Sequence, residues 1–177
     1  MFVSVIAGLI GGLVWVAVAP RATYVVIGHG SADVINAETT AFIAGDAVYC
    51  IIGVAGGLLI GLVGYLIGVR RYGPLPMVGV LGGSIAAGIV TRWVGEHSGL
   101  TAFNHQLLTS ALGTHLRAPL ALAGDTSGTT WPTLGSVPEV AFWPLAACVV
   151  VGGLTLLLVL RERSSSVEYG VPVPGPQ

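Results

Sequence analysis

Residues 47–69, AVYCIIGVAGGLLIGLVGYLIGV, and residues 75–91, LPMVGVLGGSIAAGIVT, are joined by the short connector Arg70-Arg71-Tyr72-Gly73-Pro74. The first run carries no charge and, at about 1.5 Å rise per residue, is long enough to cross a hydrocarbon core of about 30 Å. The second is equally uncharged until Arg92, so its span extends over residues 75–94. Two spans joined so tightly are expected to be antiparallel neighbours, and the rest of the chain is read outward from this hairpin.

The whole composition agrees with a bilayer. Of 177 residues, 54% are hydrophobic and only 8% charged, with mean hydropathy +0.87, whereas a soluble domain carries roughly a quarter charged residues. There is no lysine and the net charge is −1. A nucleic-acid partner, which needs a basic stripe, is therefore not expected. Cys50 and Cys148 both fall in apolar runs, where a thiol serves as a small buried group.

Towards the N-terminus, residues 2–19 form a further apolar run closed by Pro20 and Arg21. Ala17-Val18-Ala19 resembles a signal-peptide cleavage site, but no basic segment precedes the run and Pro20 would follow the cut. It is read as a retained first span. The connector 20–46 begins with the β-prone Ala22-Thr23-Tyr24-Val25-Val26-Ile27, which ends at the turn signal Gly28-His29-Gly30. Asn36 offers an N-cap for a helical turn through Glu38 and Phe42, and Gly45-Asp46 introduces the second span.

Towards the C-terminus, the third span leaves through Arg92, Trp93, Gly95, Glu96 and His97, with Trp93 suited to the headgroup level. In the loop 95–140, Phe103, Leu107, Leu108, Ala111 and Leu112 recur at helical spacing and predict a short amphipathic helix. The stretch 115–122 reads as an edge strand because Pro119 cannot donate within a sheet. Pairing it with residues 22–27 would build a small sheet outside the bilayer. Residues 125–138 are rich in Gly, Ser, Thr and Pro and predict irregular chain. Residues 141–160 make a fourth span with Trp143 and Pro144 in its first turn, stopped by Arg161-Glu162-Arg163. The tail 164–177 predicts disorder.

With four spans, Arg70-Arg71 and Arg161/Arg163 share one side, and the positive-inside rule makes that side cytoplasmic. Both termini are then cytoplasmic, in an inner-membrane protein whose two long loops face outward with all four histidines. Gly53, Gly57 and Gly61 on the second span, and Gly79 and Gly83 on the third, form stripes of small residues that let helices approach closely in lipid. The expectation is a tightly packed hairpin. Gly8 and Gly12 carry the same signature on the first span, for packing in the bundle or for self-association.

The candidate site is the polar cluster Asp46, Arg92, Glu96 and His97 near the outer ends of spans two and three, with Glu38 joining from the loop. Arg92 and Glu96 stand four apart and can pair on a helix. Ionisable groups within reach of a membrane suggest binding of a proton, a cation or a headgroup. At interfacial depth the favoured reading is structural, with the groups binding one another and snorkelling outward. His29, His97, His105 and His115 match no metal-ligand spacing. No Gly-x-Ser-x-Gly elbow places a nucleophile beside a base. Gly28-His29-Gly30 lacks the third glycine and helix of a dinucleotide fingerprint. No catalytic residue, metal or cofactor is assigned.

Several short features point together: Pro20 before a Val/Ile strand, Asp46 before the second span, Arg70-Arg71 with Gly73-Pro74, and Trp93, Gly95 and Glu96. With Arg117-Ala118-Pro119-Leu120 and Trp143-Pro144 they make the chain resemble a family of small actinobacterial integral membrane proteins known as a domain of unknown function. The resemblance implies a four-helix inner-membrane protein and brings no catalytic residues. The expected fold is an all-α four-helix transmembrane bundle with a small extracytoplasmic cap. The expected role is a non-enzymatic accessory, scaffold or assembly subunit of an envelope complex, with the bilayer and a membrane-protein partner or a second copy as its contacts. A small oligomeric transport or channel component is the alternative.

Overall fold

A computed structural model of the chain describes residues 2–28, 31–34, 40–120, 122 and 137–168. Asn36, Glu38 and His29, and most of the irregular segment 125–138, lie outside the described residues. The chain is mostly helical. α1 (Phe2–Val18) leads into β1 (Thr23–Gly28) and β2 (Ser31–Val34), and α2 (Thr40–Gly64) continues through a π-helical stretch (Tyr65–Val69) to a last turn (Arg70–Tyr72). α3 (Pro76–His97), α4 (Leu100–Thr109), β3 (His115–Arg117) and α5 (Val137–Glu168) follow. Three helical stretches, Ile43–Tyr72, Pro76–Thr109 and Glu139–Ser164, are long and apolar enough to cross a membrane, whereas Phe2–Val18 is apolar but shorter.

Burial follows the logic of a protein in lipid. Large apolar side chains such as Leu13, Leu59, Ile67, Val78, Val149 and Leu157 point outward, while Ser4, Ser84, Thr91 and Arg92 are buried inside. Water would penalise that outer surface, but lipid tails do not, and helices in lipid associate through close packing and hydrogen bonds instead.

The most extensive contacts pair α2 with α5 and α1 with α3. Both pairs run parallel. Along α1 and α3, Ser4 meets Gly83, Gly8 meets Ala87, Gly12 meets Val94 and Trp15 meets Gly95, both chains advancing together. A Cβ built on Gly8 would lie 2.6 Å from the Ala87 carbonyl oxygen, and Thr91 Oγ1 donates to the Gly8 carbonyl at 2.9 Å. Along α2 and α5, Gly57 faces Ala146, Gly61 faces Ala147 and Val150, and Tyr65 Oη donates to the Leu154 carbonyl at 3.5 Å.

This corrects the expected use of the glycine stripes. Gly53, Gly57 and Gly61 face α5 rather than the hairpin partner α3, Gly83 receives Ser4 of α1, and Gly79 has open space within 4 Å. A short connector makes α2 and α3 antiparallel neighbours in sequence, but the closest approach goes to whichever helix fills the notch, and α5 brings Trp143 there. The connector itself turns on Gly73 at φ 76°, a left-handed conformation that a Cβ disfavours.

The sheet has the order β2-β1-β3, both pairs antiparallel, with Thr23 opposite Arg117 and Tyr24 opposite Leu116. The pairing of the 22–27 and 115–122 segments is therefore present, although β3 stops at Arg117. Beyond it Ala118 N–H donates to the Ala22 carbonyl at 3.0 Å, and Leu120 and Leu122 then bury into the helical bundle. β2 was not expected; its short run Ser31-Ala32-Asp33-Val34 carries little β propensity and owes its extended form to antiparallel pairing with β1. The amphipathic helix is α4, which ends at Thr109, so Ala111 and Leu112 fall beyond it. Its Phe103 packs edge-on against Tyr24, ring centroids 6.1 Å apart, tying the helix to the sheet.

Three helix ends also differ from expectation. α2 starts at Thr40, which puts Gly45 and Asp46 inside it. α5 starts at Val137, which makes Pro144 interior rather than first-turn and leaves the Val140 carbonyl without its usual amide donor. α5 also continues through Ser164 to Glu168, where an irregular tail was expected. In each case the apolar run has already nucleated the helix, and Pro138 falls in the first turn of α5, where a missing N–H costs little.

Candidate functional site

The polar cluster gathers where α2, α3 and α5 meet, at the end of the bundle nearer the sheet. Arg92 is 2% exposed and its Nε donates to Glu96 Oε1 at 2.5 Å, one helical turn along α3. Glu96 is 15% exposed, so the pair is largely withdrawn from solvent. Both residues, and Asp46, are engaged in further polar or electrostatic interactions. Tyr49 of α2, fully buried, donates its hydroxyl to the Gly88 carbonyl of α3 at 2.8 Å. It lies within electrostatic range of Arg92, Glu96 and Glu139. Asp46 and Glu139 together lie within range of Cys50. Arg92 and Glu96 on α3, Glu139 on α5 and Asp46 on α2 thus lie around the Tyr49–Cys50 turn of α2.

Two tryptophans seal this region. Trp15 of α1 is fully buried over Gly95, where a Cβ would come within 2.1 Å of its ring, and its Nε1 donates to the Gly45 carbonyl at 2.9 Å. It also meets Tyr49 edge-on at 5.1 Å. Trp143 of α5, 1% exposed, fills a notch made by Gly53, Gly56 and Gly57 of α2 and Gly88 of α3. Leu120 and Leu122 join Trp15, Tyr49 and Trp143 in one apolar cluster and close the bundle from the sheet side. Two buried polar atoms, Glu139 Oε2 and Trp143 Nε1, have no hydrogen-bond partner among the described residues.

Of the residues singled out from sequence, Arg92 and Glu96 form an ion pair, and Asp46 lies one helical turn before Cys50 on α2, within electrostatic range of it. His97 turns away: it is exposed, its Nδ1 lies 2.9 Å from the Trp93 carbonyl, and its ring stacks on Trp93 at 4.8 Å. Glu38 lies outside the described residues. Sequence reasoning missed Tyr49 and Glu139. An acidic residue followed at once by an apolar run is a helix-start signal, and on that rule Glu139 belongs to the last helix rather than the preceding loop. Tyr49, inside an apolar run, gives no such signal.

Among the described residues no three His, Cys, Asp or Glu side chains converge as a metal site, and Cys50 and Cys148 are free thiols. Comparison of the chain with protein-family models, with curated proteins and with solved structures finds no match.

Proposed function

We propose that the protein is a four-span inner-membrane protein with both termini cytoplasmic. In this reading it is a non-enzymatic accessory, scaffold or assembly subunit that displays its sheet and α4 to a partner in the envelope. The fourth crossing is supported by α1 running parallel to α3 at matched height from Ser4 to Trp15. A helix that keeps pace with a spanning neighbour passes through the same slab, and alternation of direction then puts both chain ends on the side of Arg70 and Arg71. The family resemblance of the sequence points the same way.

The observation that carries the structural role is the closure of the bundle over its own charges. Arg92 is 2% exposed, and Tyr49, within electrostatic range of it, packs in one apolar cluster with Trp15, Trp143, Leu120 and Leu122, which favours a cluster that holds the bundle together over one that opens to a ligand from the cap side. Buried polar groups of this kind specify one arrangement of helices when each finds a partner.

A specific observation favours the transport alternative. Glu139 Oε2 and Trp143 Nε1, one helical turn apart, would suit a small polar guest beside Arg92 and Glu96 in an oligomeric conducting component.

Purification from the native membrane in mild detergent, followed by mass and composition of the particle, separates the two. The scaffold reading expects unrelated subunits at fixed stoichiometry. A pure homo-oligomer overturns it and favours the transport reading.

A further inference from the structure

Arg21 and Arg117 line one cleft of about 490 Å³ at the cap end of α1, together with Ala17, Pro20 and Thr23. The fold brings them there by two routes. Pro20 ends α1, so Arg21 leaves the helix immediately, its guanidinium 3.5 Å from the Val16 carbonyl. Arg117 arrives on β3, whose register sets it opposite Thr23, two residues after Arg21. Side chains alternate along a strand, and Leu116 and Val26 are buried on the other face. A Cβ on Gly99, at the turn between α3 and α4, would lie 3.7 Å from an Arg21 guanidinium nitrogen, which places that group across the top of the bundle.

Neither arginine forms a salt bridge among the described residues, in contrast to Arg92. Two guanidinium groups on one cleft suit a phosphate, which each can grip through paired N–H donors. The wall below the cleft is apolar and outward-facing: Leu13, Val14 and Val18 of α1 are 61%, 43% and 62% exposed. A ligand with a phosphate at one end and hydrocarbon at the other fits both surfaces at once.

We infer that the Arg21–Arg117 cleft binds the phosphate of an anionic phospholipid, whose acyl chains lie along the exposed face of α1. The lipid ties the sheet to α1 at the membrane surface, because one arginine comes from each. A free phosphate shares the headgroup chemistry but gains nothing from the apolar wall.

Native mass spectrometry of the full chain in non-ionic detergent, offered equal amounts of phosphatidylglycerol and phosphatidylcholine, tests this. The expected result is preferential retention of phosphatidylglycerol, reduced about tenfold or more in R21Q/R117Q. R21K/R117K should keep a clear part of the preference and R70Q/R71Q all of it. If the double glutamine variant fails to fold, R21Q and R117Q singly should each lower the preference. Loss on R70Q/R71Q instead, or no dependence on Arg21 and Arg117, overturns the proposal. Arginine-dependent binding of inorganic phosphate without a preference for phosphatidylglycerol also overturns the lipid assignment and leaves a free anion as the ligand.

Discussion

Gly57→Leu is expected to destabilise the folded protein in detergent by about 3 kcal/mol, the upper part of the usual range for overpacking. The reason is what the new side chain would meet. A Cβ at Gly57 would lie 2.3 Å from the Trp143 carbonyl oxygen and 2.9 Å from Ala146 Cβ. Backbone cannot step aside as a flexible side chain can, so α2 and α5 must separate along their whole contact, with Trp143 losing its notch. Gly79→Leu provides the contrast, since open space surrounds that position. Its effect should stay within about 0.5 kcal/mol, as for other substitutions away from packed features. Equilibrium unfolding of the two variants, followed by tryptophan fluorescence, distinguishes them. Equal losses would mean that α2 packs through its hairpin neighbour after all.

The second large effect concerns the buried ion pair. Arg92→Met should cost about 3–5 kcal/mol, because it leaves the Glu96 carboxylate largely buried without its guanidinium. The cost comes from the stranded partner more than from the lost attraction. Arg92→Met combined with Glu96→Leu should therefore recover most of the stability, since well-packed apolar groups often replace a buried pair without loss. If the double variant is as unstable as the single one, Arg92 holds the bundle through its further polar or electrostatic interactions instead.

These two sites also show what one sequence can and cannot convey. Runs without charge announce helices directly, because a bilayer admits little else. The β-prone 22–27 segment and the Pro119-limited edge likewise announced a pairing that β1 and β3 make. Glycine spacing revealed that close approach occurs but not between which helices. That depends on Trp143 and Ala146 being at the right height on α5, a long-range fact absent from the periodicity of α2. Leu120 and Leu122 alternate as a strand would, yet they plug the bundle; alternation cannot tell a sheet face from a bundle mouth. The polar cluster was half legible. Arg92 and Glu96 share a helical turn and can be paired by counting, whereas Tyr49 and Glu139 reach them only through tertiary packing. His97 was drawn in by adjacency alone, and one residue further along a helix is about 100° around it.

The proposed four-crossing architecture underlies both the proposed orientation and the presentation of the cap. Its most direct test is labelling of single cysteines by a membrane-impermeant maleimide in intact cells, with Cys50 and Cys148 changed to alanine. The account predicts that His115→Cys reacts in intact cells, while Phe2→Cys and Ser164→Cys react only after permeabilisation. Labelling of Phe2→Cys and Ser164→Cys from opposite sides would contradict it, because α1 would then not cross beside α3.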